Sequence, residues 1–170
     1  RELFPVSSML VAIINTIPQV IVVWAIALVI GWEFSPIAVA AVLCGLLIVA
    51  LLSTGLGLLF GAINVAFRDA QSFVEIIVMC AMWASPVMYQ WSMVRPQLGE
   101  VGFLIYCLNP LTVAVELFHA GFWFPLNPEN GQLLPDLWTF AGLALLISLL
   151  TVVVGQLVFR RLEGRFAQEL

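Results

Sequence analysis

IAVAAVLCGLLIVALLSTGLGLLFGAINVAF, residues 37–67, runs from Ile37 to Phe67 without one charged side chain. A helix needs about 20 apolar residues to cross the hydrocarbon core of a bilayer, and a buried strand needs far fewer. This run is therefore read as a membrane-spanning helix, long enough to tilt or to project from the bilayer. Within it Ser53, Gly57 and Gly61 repeat every fourth residue, with Gly55 beside them. Small residues at that spacing let two helix backbones approach closely, so this stripe is the expected packing face.

The rest of the chain has the same character. Of its 170 residues, 63% are hydrophobic and 9% charged, with a mean hydropathy of +1.12. A soluble domain is about one quarter charged. Apolar runs fall at about 7–30, 37–67, 71–91 and 137–159. The expected fold class is an all-α integral membrane protein, a polytopic helix bundle with four spans in this fragment. The chain opens on Arg1, not Met, and is read as part of a longer protein.

The first run carries Pro18, which removes a backbone donor, and a small polar stripe, Ser8, Ala12, Asn15 and Gln19. That stripe suits either helix packing or the lining of a pathway. Trp32 and Phe34, in the connector before Pro36, suit a membrane interface. In the third run Glu75 must be paired or wet, either with the charges at 68–69 or in docking a partner. The fourth run has a small-residue face, Ala144, Ser148, Thr151 and Gly155.

Residues 92–135 hold apolar pieces too short to cross, expected as external re-entrant or interfacial helices. Asn109 and Pro110 read as the N-cap and first position of one such helix, which runs to about Ala120, where Gly121 can end it. Thr112, Glu116 and His119 share a face of it. Phe122-Trp123-Phe124 reads as an aromatic anchor and Asn127 to Gly131 as a turn-rich loop.

Four spans put Arg1, Arg68, Arg160, Arg161 and Arg165 on one side and leave Arg95 opposite, so the arginine-rich side is expected to be cytoplasmic. The net charge of −4 and the lack of lysine exclude nucleic-acid binding and a phosphate-binding P-loop. One histidine and three scattered cysteines make no metal site. Glu116 and His119 read as a structural hydrogen-bonded pair, not a catalytic one. No catalytic residue is assigned.

Several segments, taken in order, resemble the permease subunit of polysaccharide ABC exporters of the type-2 class. They are Phe4-Pro5, Asn64 to Asp69, Ser85-Pro86-Val87-Met88-Tyr89, Leu108-Asn109-Pro110-Leu111 followed by Glu116, and Phe159 to Glu163 with Phe166-Ala167. The resemblance covers essentially the whole chain. It departs from the family at Val6 and His119, where arginine is common.

The resemblance implies a six-span subunit when complete. It also implies a homodimer of permeases and two ABC ATPase subunits, which carry the ATP and Mg. This chain itself would need no cofactor. The cargo implied is a lipid-linked glycan of O-antigen, capsule or teichoic-acid type, crossing the bacterial cytoplasmic (inner) membrane among membrane lipid. Phe73, Trp83, Tyr89 and Trp91 are the aromatic residues expected to stack on sugar faces, or else to form an interface belt. Arg68, Asp69, Arg160 and Arg161 are candidates for the ATPase-facing surface. The alternatives are a type-2 exporter of a drug or lipid, or an ATP-independent carrier or channel.

Overall fold

The computed structural model describes residues 3–66, 70–126 and 132–166, and its secondary structure there is entirely helical. Arg1, Arg68, Asp69 and the loop 127–131 lie outside the described residues.

Helix α1 (Leu3–Ile30) continues through Pro18. It ends where Gly31 takes φ +106, a left-handed conformation that glycine alone adopts without strain. The Gly31 N–H donates to the Leu28 carbonyl (3.2 Å) and the Trp32 N–H to that of Ala27 (2.9 Å). This paired closure satisfies two end carbonyls and turns Trp32 inward, where it is buried. Phe34 stays exposed. Helix α2 (Pro36–Ala66) then begins on a proline whose missing N–H costs nothing at a first helical position.

Helix α3 (Ala70–Ala84) is shorter than the run 71–91 suggested. It stops because Pro86 has no N–H to continue the ladder. Ser85 Oγ turns back to the Ala81 carbonyl (2.9 Å), and the Val87 N–H reaches Ser85 O (2.8 Å). A 3-10 turn (Trp91–Met93) and α4 (Arg95–Leu108) follow, the latter kinked at Gly99. Helix α5 (Pro110–Phe118) starts as its sequence implied, with Asn109 Oδ1 accepting from the Leu111 N–H at 3.1 Å.

Gly121 does not end this helix. The chain passes into a π-helical turn (His119–Trp123), a last α-turn, α6 (Phe124–Leu126), and finally α7 (Leu137–Phe166). Gly121 serves a close approach: a Cβ there would collide with Val42 Cγ2 and lie 3.0 Å from the Ala38 carbonyl oxygen. Trp32 Nε1 donates to the Gly121 carbonyl at 2.9 Å, which ties the end of α1 to this turn.

Two helices, Pro36–Asn64 and Leu137–Leu162, are long and apolar enough to cross a bilayer. The pair Arg95–Leu108 and Pro110–Leu126, bent by 82°, is either a broken span or a re-entrant loop. The apolar parts of α1 and α3, Ile14–Ile30 and Ser72–Ala84, are shorter.

Helices α2 and α7 run in parallel and touch through their backbones. A Cβ on Gly55 would sit 2.5 Å from the Thr151 carbonyl carbon, and one on Gly155 would collide with the Gly55 carbonyl oxygen. Above that contact α5 lies antiparallel to α2, with Gly45 against Ala114 and Leu117. The buried residues follow helical spacing: Ala38, Ala41 and Ile48 on α2, Val113, Ala114 and Leu117 on α5, Leu137, Ala141 and Ala144 on α7. The stripe Ser53, Gly57 and Gly61, expected to pack, is exposed, and a Cβ on Gly57 or Gly61 would meet nothing within 4 Å. Within this chain the glycine of α2 that packs against α7 is its neighbour, Gly55.

Gly155→Ala is therefore expected to lower stability by about 1–3 kcal/mol through overpacking, whereas Gly61→Ala should stay within about 0.5 kcal/mol. Thermal unfolding in detergent checks both. Ser148 Oγ is fully buried and has no hydrogen-bond partner among the described residues. Ser148→Ala should thus leave the midpoint unchanged or raise it, since the mutation removes a desolvated hydroxyl and leaves no partner orphaned.

Candidate functional site

The end of the bundle where α2 and α7 begin also gathers the segment after α3, the π-helical turn and the approach to α7. Between them lies an open cavity of about 550 Å³. One wall is the stretch Val87 to Met93, a run of turns closing in the 3-10 turn, which the Ser85-Pro86 break separates from α3. The Tyr89 hydroxyl donates to the Trp83 carbonyl at 3.2 Å and holds this stretch against the last turn of α3. Trp91 Nε1 donates to the Gln132 carbonyl at 2.8 Å and ties it to the opposite wall.

Trp91 is braced from behind. Its ring lies 5.9 Å from that of Phe103, which stacks on Tyr106 at 6.2 Å. The Arg95 guanidinium sits 5.6 Å from the Phe103 centroid and pairs with Glu100 at 2.9 Å. That ion pair is exposed and contributes little; the ring contacts fix Trp91.

Glu116 and His119 of the α5–π segment complete the lining. Glu116 is 1% exposed, and its Oε1 lies 3.3 Å from His119 Nδ1. With Glu116 ionised, the carboxylate only accepts, so Nδ1 carries the proton. The two residues are three apart, and the π-helical turn that begins at His119 widens the helix where the ring leaves it. Among the described residues no group of three or more His, Cys, Asp or Glu side chains stands ready to hold a metal.

The residues singled out from sequence separate into groups. Tyr89, Trp91, Glu116 and His119 converge on the cavity. Thr112, on the same face of α5 by spacing, is fully buried, has no side-chain hydrogen bond among the described residues and does not line the cavity. Phe73 and Trp83 are exposed on α3, 66% and 60%, and lie outside the lining. Arg160 and Arg161 are exposed on the last turns of α7, at the opposite end of the bundle.

Gln90, Gln132 and Phe124 also line the cavity, and the sequence reading missed them. Phe124 carried an aromatic signal, absorbed there into a membrane anchor. The two amides carried none. A second cavity, of about 540 Å³, lies between the starts of α2 and α7 and shares Phe124 and Leu133 with the first.

Comparison with known proteins adds a lineage. A family model described as "ABC-2 type transporter" matches residues 1–123. Two proteins of Klebsiella pneumoniae, each named "O-antigen export system permease protein RfbA", are 26% and 29% identical to the chain over 120 residues. Each match covers 68% of this chain and 40% of the relative. The chain thus spans well under half the length of these curated relatives. No solved structure matches it.

Trp91→Phe should keep the stacking on Phe103 and lose the bond to Gln132, a change of about 1 kcal/mol. Hydrogen exchange of the segment 132–136 checks this, with faster exchange there and none at α2.

Proposed function

The chain belongs to the ABC-2 type transporter family, whose members are membrane-embedded transporter subunits, and we propose that its cargo is a lipid-linked polysaccharide. In this reading it is the permease of an ATP-driven exporter in the bacterial cytoplasmic membrane. It works as a homodimer with separate ABC ATPase subunits, which bind and hydrolyse ATP with Mg. The cavity end faces outward, and the tail with Arg160 and Arg161 meets the ATPase on the cytoplasmic side. Arg68 and Asp69, outside the described residues, belong to that same side. The four apolar runs are then four crossings, with residues 92–135 external.

The observation that carries the cargo assignment is the character of the outward cavity. Its lining combines aromatic rings with neutral amides and a carboxylate, and among the described residues holds no arginine. A sugar polymer presents flat C–H faces and hydroxyls. Rings stack on the former and amides meet the latter, without the tight grip that a fixed cation would exert on phosphate. Phe73 and Trp83, exposed on α3 and outside the lining, are the further rings that this reading assigns to sugar contact. The names of the two relatives support the same cargo.

The test is co-expression of the full-length subunit with the ATPase encoded beside it. The two should copurify, and lipid-linked glycan should stimulate ATP hydrolysis. Absence of any associated ATPase would overturn the transporter mechanism. Stimulation by hydrophobic drugs or phospholipid, and not by glycan, would overturn the cargo. Single-cysteine labelling should reach Ser92→Cys from outside and Arg161→Cys only from within. With the pair in hand, Trp83→Ala should reduce glycan-stimulated hydrolysis several-fold and leave copurification intact.

A further inference from the structure

We propose that the 550 Å³ cavity is a subsite for a single uncharged sugar residue, with the Glu116 carboxylate as the acceptor that orients it. This rests on the glycan reading above and names the part of the glycan held outside the membrane. The cavity falls within the size range of small-molecule pockets.

Three features converge. Glu116 is almost fully buried, yet it lines the cavity, and His119 Nδ1 is its sole hydrogen-bond partner among the described residues. A carboxylate has about four acceptor sites, and a buried one is costly unless those sites are met. Adjacent hydroxyls of a pyranose supply such donors in the right number. Tyr89 and Trp91 provide ring faces for the C–H side of the sugar, and both are held in place, by the bonds to Trp83 and Gln132. Gln90 adds an amide that both donates and accepts.

Charge sets the selectivity. Among the described residues the lining carries one carboxylate, Glu116, and one imidazole, His119, and no arginine to offset an incoming anion. A uronic acid or a phosphate would meet the Glu116 carboxylate as a like charge. The subsite therefore takes neutral hexoses or deoxyhexoses and rejects acidic ones. The carboxylate between aromatic rings could also suit an organic cation, but the amides, which both donate and accept, and the accepting Nε2 of the imidazole favour a hydroxyl-rich ligand.

The experiment uses the full-length subunit assembled with its ATPase in lipid nanodiscs, and saturation-transfer NMR. The probes are methyl glycosides of glucose, galactose, mannose and rhamnose, with methyl glucuronide and choline as controls. At least one neutral glycoside should bind saturably, and neither control should compete. Glu116→Gln, close in shape, should weaken binding about tenfold or more. Trp123→Ala, on the exposed rim of the cavity and outside the packed core, should weaken it without disturbing assembly. Failure of all four glycosides to bind, wild-type affinity in Glu116→Gln, or preferential binding of glucuronide or choline would each overturn the subsite. If glycan still stimulates ATP hydrolysis while no glycoside binds, the subsite alone falls. If that stimulation is also missing, the cargo assignment falls with it.

Discussion

Two backbones in contact, with no side chain between them, organise this molecule. The Gly55 carbonyl oxygen occupies the space where a side chain on residue 155 would begin. In lipid, apolar surface gains little by leaving the acyl chains, so helices associate through close van der Waals contact and weak backbone interactions. Glycine against glycine gives the closest contact available. It pins α2 and α7 together roughly two thirds of the way along their lengths. Toward their first residues the two helices leave room, and α5 fills it with Val113, Ala114 and Leu117. Alanines at 38, 41, 141 and 144 keep that room narrow enough to be filled without a void.

The wedge determines what can stand at that end of the bundle. Because α5 is locked between α2 and α7, Glu116 is held deep while His119, one turn further, reaches the cavity edge. Trp32 fastens the upper part of the wedge from the side, and Gly121 gives it a flat surface against α2. Trp24, Trp32 and Phe122 pack ring against ring beside that bond, with centroids 6.4 Å apart in each Trp24 pair. Glu116 and His119 thus rest on rigid supports, while Tyr89, Gln90 and Trp91 come from a stretch with no regular secondary structure beyond one 3-10 turn.

Much of the architecture was legible because the bilayer imposes length. Uninterrupted apolar runs had to be helices, and Asn109-Pro110 announced its cap by chemistry alone. The packing faces were harder to read. In a soluble helix the buried side is apolar and the exposed side polar, so the sequence marks its own inside. Here Val29 faces outward at 88% exposure and Ile48 is fully enclosed, yet both are aliphatic. A stripe of small residues shows where close approach is possible, without showing which stripe is used. Hence Ser53, Gly57 and Gly61 carry the small-residue signal, while the contacts within this chain fall on Gly45 and Gly55. The cavity was half legible: Glu116, His119, Tyr89 and Trp91 stood out by type, whereas Gln90 and Gln132 are brought in by loop geometry that no local pattern encodes.

The π-helical turn at His119–Trp123 has an architectural consequence. Such a turn accommodates one residue beyond the α-helical complement. Were that extra residue removed, the helix beyond it would rotate by roughly 100°. Phe124, which now stands between two neighbouring hollows, would swing out of the partition. The wall between those hollows, to which Leu133 also belongs, thus rests in part on a miscount in the helix.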